Sequence, residues 1–461
     1  MKTNKFGNRE SLASDLVAGI TNALVYIPKG MAYGLVAGIN PVYGLYTGMV
    51  SPFVGALFAG SSFMAIVATN ELAVSTGGIL AGLGGGAAIQ VLFTLTLLAG
   101  VFQLAFGLLR LGSMVRFISE SVMTGFVTGV AVLLILGQLE KLTGYHGEFS
   151  GNALLKTWNW ILHLDQIDGA TTFVGLTSIA VILLLQKTRL HKFALVLAMV
   201  FAGLLAAITN QESVSLLGDA ADISGGLPSP VLPDLKTLPE LVVPALSLAI
   251  LGLSVSAGVS QSYPEPDGSI PDSSRDFVGQ GAANIAAGFF QGMPAGGSFS
   301  NMAISVGAGA KTRMANVFFA IILVFSLLTI SGLLKRIPLA ALAALLIVVG
   351  FEMINPQRIL RVRSTHWSER LAMGLTFLLT LTIPLQYAIL AGVLFTLGLY
   401  IYSSSQKLLI VENTPLGDGR YEERPAPPEF PSNQTTILGL AAERRTIVTL
   451  GSQSFRTNQP D

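Results

Sequence analysis

The chain has 461 residues, 51% hydrophobic and 11% charged, with a net charge of +1 and a mean hydropathy of +0.65. A soluble domain carries roughly 25% charged residues, so the composition excludes a globular enzyme and points to a polytopic membrane protein. The near-zero net charge removes any bulk electrostatic case for nucleic acid. With no cysteine, disulfide and thiolate chemistry are excluded too.

Residues 1–14 are polar (Lys2, Lys5, Arg9, Glu10), with no cleavable signal pattern. Seven apolar segments follow: Leu16–Ala37, Val42–Ala59, Leu72–Leu83, Ala87–Leu109, Val115–Leu139, Thr172–Leu185 and Phe193–Ile208. A second seven comprises Leu241–Val259, Val278–Phe290, Met302–Ala310, Ala315–Leu334, Leu339–Met353, Leu371–Ile383 and Ala388–Tyr402. The third member of each set is too short to cross a ~30 Å hydrocarbon core, which takes about 20 residues. Each is opened by a break: Ala68-Thr69-Asn70-Glu71 in the first set, Gly296-Gly297-Ser298-Phe299-Ser300-Asn301 in the second. This recurrence predicts an all-α polytopic membrane protein of about 14 transmembrane segments in a 7+7 repeat, with half-helices at segments 3 and 10. Seven is odd, so the repeat is inverted. Paired half-helices in corresponding halves read as a secondary transporter with its site between them.

Arg110 and Arg116, Lys187, Arg189 and Lys192, Lys311 and Arg313, and Arg358, Arg361 and Arg363 fall in loops on the N-terminal side. The loop Asn210–Glu240 on the other side is acidic. By the positive-inside rule both termini are expected in the cytosol; Lys335 and Arg336, on the outer side, are the exception. Residues 406–461 are polar, with strand-like patterns only at Thr435–Leu440 and Thr446–Leu450. That is too little for an independent core, and a disordered tail or the remnant of a domain is expected.

Helix N-termini present unpaired N–H groups and the positive end of a dipole, and two facing each other make an anion site. Ser298, Ser300 and Asn301 add side-chain donors from one half, Thr69 and Asn70 from the other. Serine also caps helices, so capping alone and capping plus ligand contact both stand for Ser300. Lys29 lies mid-span after Pro28, where a lysine costs about 3 kcal/mol and should face a cavity or a partner. Glu71 sits in the first turn of half-helix 3. It either complements the dipole, pairs with Lys29, or couples a proton to anion entry. Tyr33 lies one turn past Lys29 on the same face, in a lining or a packing role. Glu120, Glu140 and Glu352 fall near span ends and are expected at the interface. Enzyme motifs are weak. The glycines of Gly82–Gly86 follow a half-helix rather than a Rossmann strand, and Lys311-Thr312 has no preceding strand of a phosphate loop. His146, His163, His191 and His366 lack metal-ligand spacing. No enzyme activity, cofactor or metal is expected.

Three stretches together resemble the SulP family of anion permeases (sulfate permease and anion exchanger type). They are Asp15–Ile20 with Ile27-Pro28-Lys29-Gly30-Met31-Ala32-Tyr33-Gly34-Leu35 and Asn40–Tyr46; Gly281–Pro294; and Gly296–Asn301 with Gly309-Ala310-Lys311-Thr312. The likeness runs over residues 12–405. It implies a core of segments 1–4 and 8–11, a gate of segments 5–7 and 12–14 ending at residue 405, and an anion held between half-helices 3 and 10 with span 1 lining the site. It also implies a homodimer, and a cytosolic STAS domain after the last span, of which the sequence displays only a fragment. Four positions depart from the family pattern. Lys29 replaces a site-lining Gln, Ala68-Thr69 a Gly-Pro, Asn301 a basic residue of many members, and Val255 a Glu.

The expectation is therefore a secondary active transporter of a small anion (sulfate, bicarbonate or carboxylate class), working by alternating access, with H+ or Na+ as coupling ion. Its expected place is the lipid bilayer of a bacterial inner membrane. Substrate-binding residues are expected at Lys29, Tyr33, Thr69, Asn70, Ser298, Phe299, Ser300 and Asn301. Glu71 is the coupling candidate, and Lys29 supplies the charge that Asn301 lacks. The alternatives are a nucleobase-type permease of this architecture, against which Val255 and Asn301 argue, and a degenerate, non-transporting membrane protein.

Overall fold

The computed structural model describes residues 9–112, 119–145, 147, 153–209, 213–221, 223, 226–265, 268–365 and 367–385, with gaps 387–398, and four strands between 410 and 455. Arg116, His146, His366, residues 399–402 and Thr435–Leu440 lie outside the described residues. The chain divides into two units, Met1–Thr396 and Leu397–Asp461.

In the first unit the leading half runs α1 (Arg9–Val36), α2 (Val42–Phe58), a short strand β1 (Ala65–Val67), α3 (Asn70–Leu80), α4 (Gly85–Leu108), α5 (Glu120–Leu136), α6 (Leu139–Thr143), α7 (Ala153–Leu162), α8 (Gly169–Gln186), α9 (Ala194–Thr209) and α10 (Leu217–Ala220). The second half runs α11 (Leu238–Ser260), α12 (Ser273–Phe289), β2 (Gly296–Ser298), α13 (Phe299–Gly307), α14 (Met314–Leu334), α15 (Leu339–Met353), α16 (Pro356–Arg363) and α17 (Trp367–Thr382). Each expected apolar segment contains helix where it is described, and among the described residues eight helical stretches are long and apolar enough to span a bilayer. The half-helices are α3 and α13. α12 packs along α4 and α2, and α14 along α1 and α2, while α5, α8, α15 and α17 pack on one another.

The breaks ahead of the half-helices are extended rather than merely irregular. β1 and β2 pair antiparallel, with Ala65 opposite Ser298 and Val67 opposite Gly296. Backbone that leaves the helix inside a bilayer must find its hydrogen bonds within the protein, and this ribbon supplies them from the opposite half of the chain. An apolar pattern read segment by segment cannot show such a pairing, because the strands are three residues long and 231 positions apart by their registered partners Ile66 and Gly297.

Polar side chains lock the ribbon in place. Asn284 grips the backbone of Ala295 at both ends, donating from Nδ2 to its carbonyl (2.8 Å) and accepting from its N–H (2.7 Å). Ser256 Oγ accepts from Gly297 N–H at 2.7 Å. Tyr26 Oη accepts from Ala68 N–H at 3.3 Å and donates to the Gly44 carbonyl at 3.0 Å. Farther along, the fully buried Asp15 of α1 accepts from the N–H groups of Lys311 (2.7 Å) and Thr312 (3.0 Å). The opening stretch of the sequence thus ties down the loop that follows the second half-helix. Buried Asp276 does the same for the turn before β1, accepting from Ser61 N–H at 2.7 Å and Ser260 Oγ at 2.5 Å. A buried carboxylate needs such donors, and satisfying them fixes the loops.

α1 and α2 cross almost backbone to backbone, just beyond Lys29. A Cβ on Gly44 would lie 1.8 Å from the Gly30 carbonyl oxygen. Backbone on both sides leaves no flexible group to yield, so Gly44→Ala should destabilise by at least the about 1–3 kcal/mol typical of overpacking. Thermal melting of purified wild-type and variant protein reads the effect; equal midpoints would refute the close crossing.

The second unit holds a four-stranded antiparallel sheet of β3 (Ile410–Pro415), β4 (Tyr421–Pro425), β5 (Ile447–Leu450) and β6 (Gln453–Phe455), in the order β4-β3-β5-β6. β5 falls within the expected Thr446–Leu450. The other three correct the expectation of two strands. Tyr421-Glu-Glu-Arg-Pro carries no apolar alternation, and so gives no periodic signal to read.

Candidate functional site

α3 and α13 both begin at the wall of a cavity of about 310 Å³. Thr69, Asn70 and Glu71 line it from α3, and Ser298, Phe299 and Ser300 from α13. Lys29 and Tyr33 line it from α1, and Val255 from α11. Eight of the nine residues singled out from the sequence therefore meet at one cavity; the ninth, Asn301, does not line it.

Lys29 is 7% exposed, and its Nζ donates to Ser300 Oγ at 2.7 Å. Among the described residues no ion pair joins it to Glu71, although both line the cavity. The pairing considered for Lys29 and Glu71 is thus not the arrangement found: the amine is held by a neutral hydroxyl. Pro28, which has no N–H to give to the preceding turn, precedes it within the helix.

The capping role that both readings gave to Ser300 is filled by a neighbour. Capping of α13 falls to Ser298, whose Oγ accepts from Asn301 N–H at 3.4 Å and donates to Asn301 Oδ1 at 2.9 Å. Ser300 is left facing Lys29. Asn301 is only 2% exposed and turns the other way, with Nδ2 donating to Asn22 Oδ1 at 2.9 Å. Asn22 Nδ2 in turn donates to the Asn301 carbonyl (3.2 Å) and to Ser305 Oγ (2.8 Å). Both ends of the Asn301 amide are thus committed, Nδ2 to Asn22 and Oδ1 to Ser298, and the bonds with Asn22 lock α13 to α1. That is the physical reason it contributes no donor to the cavity.

At α3, Thr69 occupies the N-cap position without a side-chain capping bond. Asn70 Oδ1 is buried without a hydrogen-bond partner. A buried polar atom left unpaired costs about 1–3 kcal/mol, and an unpaired amide on a cavity wall is suited to a solute or a water. Phe299 is 53% exposed, with its ring 6.4 Å from that of Tyr263, which places it toward the mouth.

The sequence reading missed the third wall. Val349, Glu352 and Met353, at the end of α15, close the cavity opposite the half-helices. Glu352 does lie at a span end and is exposed, as expected, but it also reaches the cavity, and its Oε1 accepts from Gln186 Nε2 at 2.6 Å. Its only signal in the sequence was a carboxylate at the end of an apolar run. Nothing in that run fixes which way α15 is turned against α1. The cavity thus combines one buried ammonium, two carboxylates, two helix N-termini and a set of hydroxyl and amide groups.

The sulfate permease family model matches residues 12–376. The chain is 30% identical over 411 residues to "Sulfate transporter 4.1, chloroplastic" of Arabidopsis thaliana, which covers 86% of this chain but only 59% of that protein's length. Among solved structures it resembles the transmembrane domain of a cyanobacterium bicarbonate transporter, BicA, with a TM-score of 0.71, 24% identity, and 85% of this chain and 99% of that one covered. It also resembles the murine Solute Carrier 26 family member A9 anion transporter in the inward-facing state, with a TM-score of 0.79, 20% identity, and 91% and 73% covered. These last two likenesses concern the fold. The family match over residues 12–376, most of the transmembrane unit, shows that the chain belongs to the sulfate permease family.

Proposed function

We propose that the protein is a secondary active transporter of a small anion, of the sulfate, bicarbonate or carboxylate class, working by alternating access. The anion binds between the N-termini of α3 and α13, and Lys29 supplies the positive charge. The observation that carries this reading is the buried Lys29 amine, which lines the cavity shared by both half-helix N-termini and, among the described residues, bonds only to a neutral serine. A buried amine with no carboxylate in ion-pair contact among the described residues is placed to take an anion, provided the cavity's two carboxylates are not both ionised. The cavity lies at the lower end of the roughly 300–1,000 Å³ range of small-molecule sites, which suits a small solute with some water. The names of the relatives point the same way, toward sulfate and bicarbonate.

Thr69, Asn70, Ser298 and Ser300 serve as donors, while Tyr33 and Phe299 shape the walls. α1–α4 with α11–α14 form the core, and α5, α8, α9, α15, α17 and the helical residues after it form the gate. Alternating access is a displacement of one set against the other. Because Glu352 rides on the gate and Lys29 on the core, that displacement changes the charge the anion meets. A proton or Na+ on Glu71 is the coupling ion, the protein acts as a homodimer in a bacterial inner membrane, and both termini lie in the cytosol.

Uptake of labelled sulfate, bicarbonate and dicarboxylates into proteoliposomes, with and without an inward proton gradient, tests the proposal. Saturable uptake of one class, competed by the same unlabelled anion, is the expected result. No uptake of any anion by protein that melts cooperatively would overturn it.

A further inference from the structure

A second cavity lies on the other side of α1. It has a volume of about 200 Å³ and is lined by Ile27 and Pro28 of α1, Met199 and Leu204 of α9, and Leu334 and Ile337 at the end of α14, among others. Its lining is apolar apart from one charged residue, Arg336. The floor is buried, with Met199 3%, Leu334 4% and Ile337 9% exposed, whereas Leu204 and Leu333 on the rim are each 59% exposed. In a chain built of membrane spans, an apolar trough with an exposed apolar rim opens toward lipid tails rather than water.

Arg336 and its neighbour Lys335 are the pair that departs from the charge asymmetry of the other loops. Their backbone is fixed: Gly218 N–H donates to the Lys335 carbonyl (2.9 Å), Leu217 N–H to Ile337 (2.8 Å), and Leu339 N–H to Ser215 (3.0 Å). A cation also complements the dipole at the C-terminal end of α14. That accounts for a positive charge there, but not for its place over an apolar trough. The positive end of α15, which begins at Leu339, lies beside the same rim.

We infer that this trough seats an acyl chain of an anionic phospholipid, with the headgroup phosphate on Arg336. A guanidinium matches phosphate with two parallel hydrogen bonds. The chain fills a space walled by Ile27 and Pro28, immediately before Lys29, so an occupied trough braces α1 from behind.

The test uses the purified full chain in detergent. Phosphatidylglycerol and phosphatidylcholine with the same acyl chains are added, and retained lipid is counted by native mass spectrometry. Wild type should retain phosphatidylglycerol at least fivefold over phosphatidylcholine. Arg336→Gln, a change at an exposed side chain, should bring that ratio close to one. Gly203→Leu should lower retention of both lipids, since Gly203 lines the trough and a Cβ there meets only the Arg336 carbonyl at an ordinary 3.5 Å. A cation serving only the α14 dipole predicts a lower melting temperature for Arg336→Gln with lipid retention unchanged, and that result would overturn the inference. So would equal retention of the two lipids by wild type, or retention of free oleate at the level of phosphatidylglycerol.

Discussion

Lys29→Gln should weaken anion binding by roughly 10- to 100-fold, the equivalent of the about 1.5–3 kcal/mol carried by a hydrogen bond to a charged group. Glutamine preserves donor capacity toward Ser300 and nearly the length of the side chain. It removes only the charge, so the loss measures the electrostatic share. The effect is large because the amine is buried and bonds, among the described residues, only to a neutral hydroxyl; water and counterions screen exposed charges far more strongly. Folding should survive, since a buried lysine is itself costly, and its replacement by a neutral residue relieves that cost. Half-saturation for the transported anion in proteoliposomes, wild type beside variant, gives the answer. An unchanged value would mean that the half-helix termini alone hold the anion. Lys29→Arg is the informative companion. It keeps the charge but exchanges a compact ammonium for a planar fork with a different hydrogen-bond geometry, so partial recovery is expected.

The elements of this site were legible in the sequence to different depths. Asn70-Glu71 and Gly296–Ser300 stood out because a polar break inside an apolar run has few explanations in a membrane protein. Lys29 stood out because a mid-span lysine is costly. Those signals are local, and the structure gathers eight of the nine residues they named. What the sequence concealed depends on rotation about a helix axis or on pairing across the repeat. Ser298 and Ser300 are two residues apart and chemically identical, yet one caps α13 and the other faces Lys29. Asn301, next in line, turns into the cluster with Asn22. No composition or spacing separates these three. The β1–β2 ribbon and the third wall at Glu352 were hidden for the same reason. Membership of a permease family also sets aside the enzyme readings, which the glycine runs had supported only superficially.

The cavity's charge balance leads to the second large effect. One ammonium and two carboxylates sum to −1 when all are ionised, which opposes the entry of an anion. Protonation of one carboxylate restores balance, so uptake should rise as the pH on the entry side falls. Glu71 is the stronger of the two candidates: it is half-buried at the start of α3, whereas Glu352 is exposed and held by Gln186. An exposed charge is screened, and its removal does less. Glu71→Gln should therefore make anion uptake indifferent to an inward proton gradient. It should also raise apparent affinity at neutral pH on the order of tenfold, corresponding to about 1.4 kcal/mol. Glu352→Gln should shift affinity in the same direction by a smaller factor and leave the gradient dependence in place. The competing account makes Glu71 a complement to the α3 dipole, worth about 0.3–1 kcal/mol of stability. It predicts a lower melting temperature in Glu71→Gln with the proton dependence of uptake intact. Measuring uptake against gradient and melting on the same preparations separates the two: a gradient response that survives the substitution would remove Glu71 from the coupling role.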